Sequence, residues 1–337
     1  MTTEIIVEIA NTHEGSLGIA TSLVDMAALS GADAVKFQMH IGEHEGVIDE
    51  PFRINFSVQD RSRRDYWERV SLSDENWSYL SDYCNRKGLE FICTPFSVEA
   101  ASRLLQFTDI KRWKISSGDA PNLPFVDYLV ATGLPLIIST GLMAWDEILK
   151  LRERLQKANA WDRTTLLHCV SMYPTPLEYC ALNLLDDLIA LGGSVGLSDH
   201  SGRLAPSIYA LSKRVELIEV HMTPHPQFFG PDVTSSLTPA MVEQLIKYRN
   251  EFQILQDKPV SKSTLFDFAI DSRRLFRKGI YWKTDVQVNE ICSLENLSFL
   301  KPCIGIDSIE FENYVGKTLK HSVKAGTALR SEDFHAP

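Results

Sequence analysis

Gly196-Leu197-Ser198-Asp199-His200-Ser201-Gly202, followed by Glu219-Val220-His221, is the stretch from which the fold of this chain can be read. Each half ends an apolar run, Val195 to Leu197 and Val215 to Val220, in polar residues that include a histidine. Adjacent buried strands ending this way bring two imidazoles together, and neutral imidazole is the commonest nitrogen ligand for a divalent metal. Either histidine alone would serve as well as a hydrogen-bonded core or loop residue. The pair gains meaning because the same pattern recurs along the chain.

Working outward, Ile5 to Ile9 is apolar apart from Glu8 and ends in the loop Asn11-Thr12-His13-Glu14-Gly15-Ser16, before helical periodicity from Ile19 to Leu29. Ala34 to Phe37 ends in Gln38, and a polar excursion from Gly42 to Arg69 precedes a helix at Asp74 to Lys87. Glu90 to Cys93 ends in Thr94-Pro95-Phe96-Ser97, and Arg112 to Ile115 in Ser116-Ser117-Gly118-Asp119. Leu136 to Ile138 ends in Ser139-Thr140-Gly141, and Leu166 to Val170 in Ser171-Met172-Tyr173-Pro174. With the two opening runs this makes eight strand signals, each followed by helix-like sequence. No glycine-rich dinucleotide fingerprint follows the first, so the pattern predicts an α/β fold of the closed (β/α)8 TIM-barrel type. Barrel closure would face all eight strand ends to one mouth, where enzymes of this architecture place their chemistry.

The catalytic barrel is expected to span residues 1–255. A polar stretch without periodicity, 256–271, reads as a linker, and 272–337 as a small, mostly β domain of short runs. So short a domain is marginal alone and calls for a partner surface. The excursion after the second strand, with Arg61, Arg63 and Arg64, reads as a lid or subunit contact. The 337 residues carry a net charge of -10, which argues against nucleic-acid or anionic-membrane surfaces, and no apolar run reaches membrane-helix length. The N-terminus has no basic or signal-type segment and reads as cytoplasmic. Six cysteines without Cys-x-x-Cys spacing read as free thiols.

The predicted mouth collects Lys36 and Lys114, the hydroxyls of Thr94, Ser117, Ser139, Thr140 and Ser198, the carboxylates of Glu14, Asp119, Asp199 and Asp232, and the imidazoles of His13, His168, His200 and His221. Lysines with converging hydroxyls suit a phosphate or carboxylate anion, and histidines with a carboxylate suit a metal that polarises a carbonyl. Together they point to carbon–carbon bond formation between an anionic phosphorylated compound and an aldehyde.

Thr12 to Ser16, Val35-Lys36-Phe37-Gln38, Thr94 to Ser97, Lys114 to Asp119, Ser139-Thr140-Gly141, His168-Cys169 with Tyr173 to Pro176, Gly196 to His200 and Gly230-Pro231-Asp232 follow one another here. In that order they resemble the motifs of the bacterial sialic acid (N-acetylneuraminate) synthase family, which condenses phosphoenolpyruvate with an N-acyl aldose such as N-acetylmannosamine. Leu300-Lys301-Pro302, Val315-Gly316-Lys317 and Leu329 to Phe334 resemble that family's C-terminal antifreeze-like (SAF, β-clip) domain. The resemblance implies that His200 and His221 hold a divalent metal, manganese above magnesium or cobalt. It implies that Lys36, Thr94, Lys114, Ser117, Ser139, Ser171 and Ser198 bind phosphoenolpyruvate, and that Gln38, Tyr173, Asp232 and Lys301 bind the acceptor. Glu14 and Asp119 match catalytic carboxylates. It also implies a domain-swapped homodimer, with the small domain of one subunit capping the other's barrel. Asp119, Ser171 and Lys301 depart from the family's usual glutamate, asparagine and arginine, which bears on acceptor identity. The open alternatives are a synthase for another aldose, of legionaminate, pseudaminate or octulosonate type, and a sugar-binding barrel without catalysis.

Overall fold

In the computed structural model, which describes residues 2–48 and 50–335, chain order begins β1 (Glu4–Ala10), α1 (Leu17–Ser30), β2 (Ala34–Met39), α2 (Gly42–Glu45), α3 (Arg63–Val70), α4 (Asp74–Arg86), β3 (Glu90–Pro95) and α5 (Val98–Phe107). It continues β4 (Trp113–Ile115), α6 (Leu123–Ala131), β5 (Leu136–Ser139), α7 (Trp145–Lys157), β6 (Thr164–Cys169), α8 (Leu184–Ile189), β7 (Ser194–Asp199), α9 (Leu204–Ser212), β8 (Leu217–His221) and α10 (Pro239–Asp257). The eight strands close in sequence order into a parallel barrel, in which β1 aligns Glu8 with Lys36 of β2 on one side and with His221 of β8 on the other. This is the (β/α)8 fold expected from the strand count.

Local signals place the helices. Ser16, Ser73 and Ser97 each accept a backbone N–H at the start of α1, α4 and α5, and caps of this kind are worth about 1 kcal/mol each. The helices bury one apolar face against the barrel, as α1 does with Ala20, Leu23, Val24 and Ala27. Inside the barrel a separate plug of Ile6, Ala34, Ile92, Ile137, Leu167 and Leu217 fills the lower end. Gly196 is required beside it, because a Cβ there would lie 2.5 Å from the Leu217 carbonyl oxygen and 2.6 Å from Leu167 Cδ2.

The excursion after β2 is more ordered than its polarity suggests. Ser62 and Asp65 form a capping box that starts α3, and Tyr66, Trp67 and Val70 pack with Phe52 and Phe56 in a cluster of their own.

Met1–Asp257 forms one unit and Lys258–Pro337 a second. The stretch 256–271, expected as a linker without periodicity, holds the end of α10, then α11 (Lys262–Phe268) and the start of α12 (Ile270–Phe276). Its polar composition hid the helix signal, although Ser261 caps α11 by accepting the Thr264 N–H. Beyond, β9 (Gly279–Trp282) pairs antiparallel with β10 (Leu297–Leu300), and isolated bridges such as Val286 to Val323 and Leu319 to Phe334 complete a small β unit. Its core is Ile280, Trp282, Val286, Cys292, Leu297, Leu319, Val323, Leu329 and Phe334. The expected β run at Leu275 thus begins helical and turns to strand only at Gly279. All six cysteines are free thiols. No helix among the described residues is long and apolar enough to cross a membrane.

Candidate active site at the barrel mouth

Strand side chains alternate, so the residue two places beyond each plug residue also points inward. Ile6 is followed in this sense by Glu8, Ala34 by Lys36, Ile92 by Thr94, Ile137 by Ser139, Gly196 by Ser198 and Leu217 by Glu219. An apolar plug is therefore overlaid by a charged floor, and above it opens a cavity of about 550 Å³. Glu8, Lys36, Lys114 and Glu219 form that floor, none more than 3% exposed. Lys36 is ion-paired with Glu8, lies 3.8 Å from Glu219 Oε2 and donates to Thr94 Oγ1 at 3.2 Å. Lys114 donates to Ser139 Oγ at 2.7 Å and lies 3.8 Å from Glu219 Oε1, which also accepts from Ser198 Oγ at 2.9 Å.

The charges decide one another's protonation. Burial opposes the Lys36 ammonium, yet the Glu219 and Glu8 carboxylates outweigh it and raise its pKa. Lys114 is lowered, burial prevailing over Glu219. Burial would raise Glu219, but Lys114 and Lys36 override it and hold the carboxyl ionised, at about 2. The floor thus sets two carboxylates against two lysines, and an anionic ligand must compete with carboxylates for the lysines.

Toward the rim, Gln38 Nε2 donates to Glu8 Oε1 at 2.7 Å, and its Oε1 lies 3.1 Å from His40 Nε2. The His40 ring is stacked between Trp67 and Phe96, with centroids 4.4 and 4.1 Å away, and its Nδ1 meets Glu45 at 2.8 Å. Asp119 accepts from Ser116 Oγ at 2.7 Å, and burial raises its pKa. Ser117 Oγ accepts the Gly141 N–H and sits 3.0 Å from Cys169 Sγ. A Cβ on Gly141 would lie 2.5 Å from that sulfur and 2.8 Å from Ser171 Oγ, so glycine lets the strand ends close around Ser117 and Ser171.

At the other side of the mouth the His200 and His221 rings are 5.4 Å apart. His200 Nδ1 donates to the Val170 carbonyl at 2.9 Å, so its Nε2 is the acceptor and takes the Tyr173 OH at 3.2 Å, with Ser198 Oγ at 3.4 Å. Burial, aided by His221, pushes the His200 pKa down to about 3, so the ring is a neutral donor at physiological pH. Asp232 Oδ2 lies 4.0 Å from His221 Nδ1. No group of three or more His, Cys, Asp or Glu with metal-holding geometry occurs among the described residues. The fit is to a divalent ion held by two imidazoles, with water or substrate completing its coordination.

Of the fifteen site residues expected from sequence, thirteen line the cavity: Lys36, Gln38, Thr94, Lys114, Ser117, Asp119, Ser139, Ser171, Tyr173, Ser198, His200, His221 and Asp232.

 The wall also holds residues that sequence gives no role, among them Glu8, Arg53 and Glu219, the last standing out in sequence only as the neighbour of His221. The signal for Glu8 was present: an acid in an apolar strand, in phase with the inward-facing Ile6.

Other residues expected at the mouth lie off this cavity wall. The Glu14 carboxylate is not on the cavity wall; it accepts from Tyr66 OH at 2.8 Å and pairs with Arg69 at 3.1 Å, so it ties the β1 loop to α3. His13 is packed against Phe37 and Trp77, and burial, with His40 adding, lowers its pKa to about 4. His168 and Thr140 line a different cleft: His168 Nε2 donates to the Cys180 carbonyl at 2.8 Å and Thr140 to that of Leu167 at 2.9 Å. Asp199 is turned toward α9, accepting from the Ser201 N–H and Ser207 Oγ. Lys301 belongs to the second unit, where it is exposed after β10.

A (β/α)8 barrel whose mouth gathers buried lysines, paired carboxylates and a pair of imidazoles has the layout of a barrel enzyme for an anionic substrate. The chain belongs to the NeuB family, whose sequence pattern matches residues 23–259. It is 31% identical over 346 residues to the N,N'-diacetyllegionaminic acid synthase of Legionella pneumophila, an alignment that covers 100% of this chain and 96% of that protein. It is 28% identical over 342 residues to the pseudaminic acid synthase of Campylobacter jejuni, covering 98% of this chain and 96% of the relative. The crystal structure of the N-acetylneuraminic acid (sialic acid) synthetase of Leptospira borgpetersenii matches it with a TM-score of 0.70 at 25% identity, over 81% of this chain and 92% of that one.

Proposed function

We propose that the protein is a phosphoenolpyruvate-dependent nonulosonate synthase, a carbon–carbon bond-forming transferase that condenses phosphoenolpyruvate with an N-acyl aldose and releases phosphate. The observation that carries this reading is the meeting, in one cavity, of buried Lys36 and Lys114 with the acceptor Nε2 of a neutral His200 beside His221. One end of the cavity suits an anion and the other a carbonyl. The three relatives are named for three different nonulosonic acids, which supports the class of reaction and leaves the choice among acylated aldoses to experiment.

In this reading Lys36, Lys114 and the hydroxyls of Thr94, Ser117, Ser139, Ser171 and Ser198 bind the phosphate and carboxylate of phosphoenolpyruvate. Gln38, Tyr173 and Asp232 orient the aldose. A divalent ion bound at His200 and His221, manganese in our proposal, supplies Lewis acidity toward the aldose carbonyl. C3 of phosphoenolpyruvate bonds to the aldehyde carbon, the oxygen of water bonds to C2, and the C2–O bond to phosphate breaks. Glu219, held ionised beneath the reacting atoms, and Glu8 beside it in the floor stabilise the positive charge that develops at C2 and orient the water. Asp119, in the position with the raised pKa, is suited to hold or deliver a proton at the acceptor oxygen. The small C-terminal unit is proposed to be an antifreeze-like cap that brings Lys301 to the acceptor of a partner subunit in a domain-swapped, cytoplasmic homodimer.

The test is phosphate release by the purified protein given phosphoenolpyruvate, manganese and a panel of N-acyl aldoses. Release that requires both an aldose and the metal is expected. Release independent of any aldose would contradict the proposal.

A further inference from the structure

Arg53 reaches the cavity from outside the barrel strands, on the segment between α2 and α3. Its guanidinium carbon lies 4.2 Å from the centroid of the Tyr173 ring, and its Nη2 donates to Asp232 Oδ1 at 2.9 Å. Those partners are themselves tied to the histidine pair, Tyr173 through His200 at 3.2 Å and Asp232 beside His221 at 4.0 Å. Arg53 thus closes a ring of five side chains at the histidine end of the cavity.

We infer that Arg53 selects the acceptor by donating to the carbonyl oxygen of its N-acyl group, an inference that rests on the function proposed above. A guanidinium carries five N–H donors in one plane, and the Asp232 bond is the single hydrogen bond Arg53 makes among the described residues. The guanidinium lies over the Tyr173 ring at the cavity wall with donors left over, and the side chain is still 40% exposed. The stack also reduces the rotamer freedom lost when a ligand is gripped, which favours binding. Asp232 already balances the charge of Arg53, so a neutral acyl oxygen matches the remaining donors, whereas an anionic substituent would have to compete with Asp232. Lysine cannot replace this arrangement, because an ammonium is a point charge without the planar fork.

Steady-state phosphate release by the wild-type protein, Arg53→Gln and Arg53→Lys tests this, using an accepted N-acyl aldose and the same sugar with a hydroxyl in place of the acylamino group. With Arg53→Gln the acceptor KM is expected to rise about 10- to 100-fold, the range for losing a hydrogen bond to a charged donor, while the KM for phosphoenolpyruvate stays within about twofold. The preference for the acylated sugar falls by the same factor, Arg53→Lys recovers only part of it, and the thermal unfolding midpoint is unchanged. An unaltered acceptor KM, an equal rise in the KM for phosphoenolpyruvate, an intact preference for the acylated sugar, or full recovery by lysine overturns the role of Arg53. Each of those results leaves an active wild-type protein and so leaves the proposed function standing. A wild-type protein that turns over no aldose removes the proposed function, and the role of Arg53 with it.

Discussion

Glu219 lies 3.8 Å from each of two buried ammonium groups and is held ionised by both. At an effective dielectric constant of about 20 such contacts are worth several kcal/mol, so this carboxylate weakens the attraction that the lysines exert on a bound anion. Its Oε2 has no hydrogen-bond partner among the described residues, which leaves one oxygen free for water or substrate. Glu219→Gln keeps the shape and removes the charge. The variant is expected to bind phosphoenolpyruvate about tenfold more tightly, as read by calorimetry, and to lose about 10²- to 10⁴-fold in kcat. Weaker binding together with an unchanged kcat would show that Glu219 merely holds Lys36 and Lys114 in place.

At the scale of elements, α3 and the segment leading to it form one side of the mouth, and Glu14 fastens them to the β1 loop through Tyr66 and Arg69, with Arg69 also bound twice to Asp60. Because that carboxylate serves the lid and not the cavity wall, Glu14→Gln should lower kcat by less than about tenfold while speeding limited proteolysis between residues 46 and 62. A loss of 10²-fold or more with an unchanged cleavage rate would return Glu14 to the chemistry. The reading from sequence went to Glu14 because it looked for carboxylates in the loops where strands end. The strand phase that puts Lys36 two places beyond Ala34 also puts Glu8 two places beyond Ile6, and this was legible in the same way. The barrel and its histidine pair could be read because alternation and strand order are local properties that closure turns into a site. Arg53, and His40 between Trp67 and Phe96, could not, since their positions depend on how the long excursion from Gly42 to Arg69 folds back over the mouth. The helices α11 and α12 escaped notice because polar residues interrupt their apolar ones.

For the whole molecule, Ile254 and Leu255 of α10, and Leu265, Phe266, Phe268, Ile270, Leu275 and Phe276 of α11 and α12, are all exposed. Exposed apolar side chains of this kind are what the proposed homodimer would cover. Light scattering should give about twice the 38.0 kDa of the chain. After subunit exchange, Glu219→Gln mixed with Lys301→Ala should recover activity, since one mouth in each mixed dimer has both residues intact. Mixed dimers that stay inactive would confine Lys301 to its own chain or to no site. The central claim is that water adds at C2 of phosphoenolpyruvate above the Glu8, Lys36, Lys114 and Glu219 floor, so that the carbon–oxygen bond breaks. Phosphoenolpyruvate labelled with heavy oxygen at the bridge between C2 and phosphorus, turned over with an accepted aldose, tests this by mass spectrometry. The account predicts that the released phosphate carries the label and the sugar acid does not; label retained in the organic product would mean cleavage at phosphorus and would contradict it.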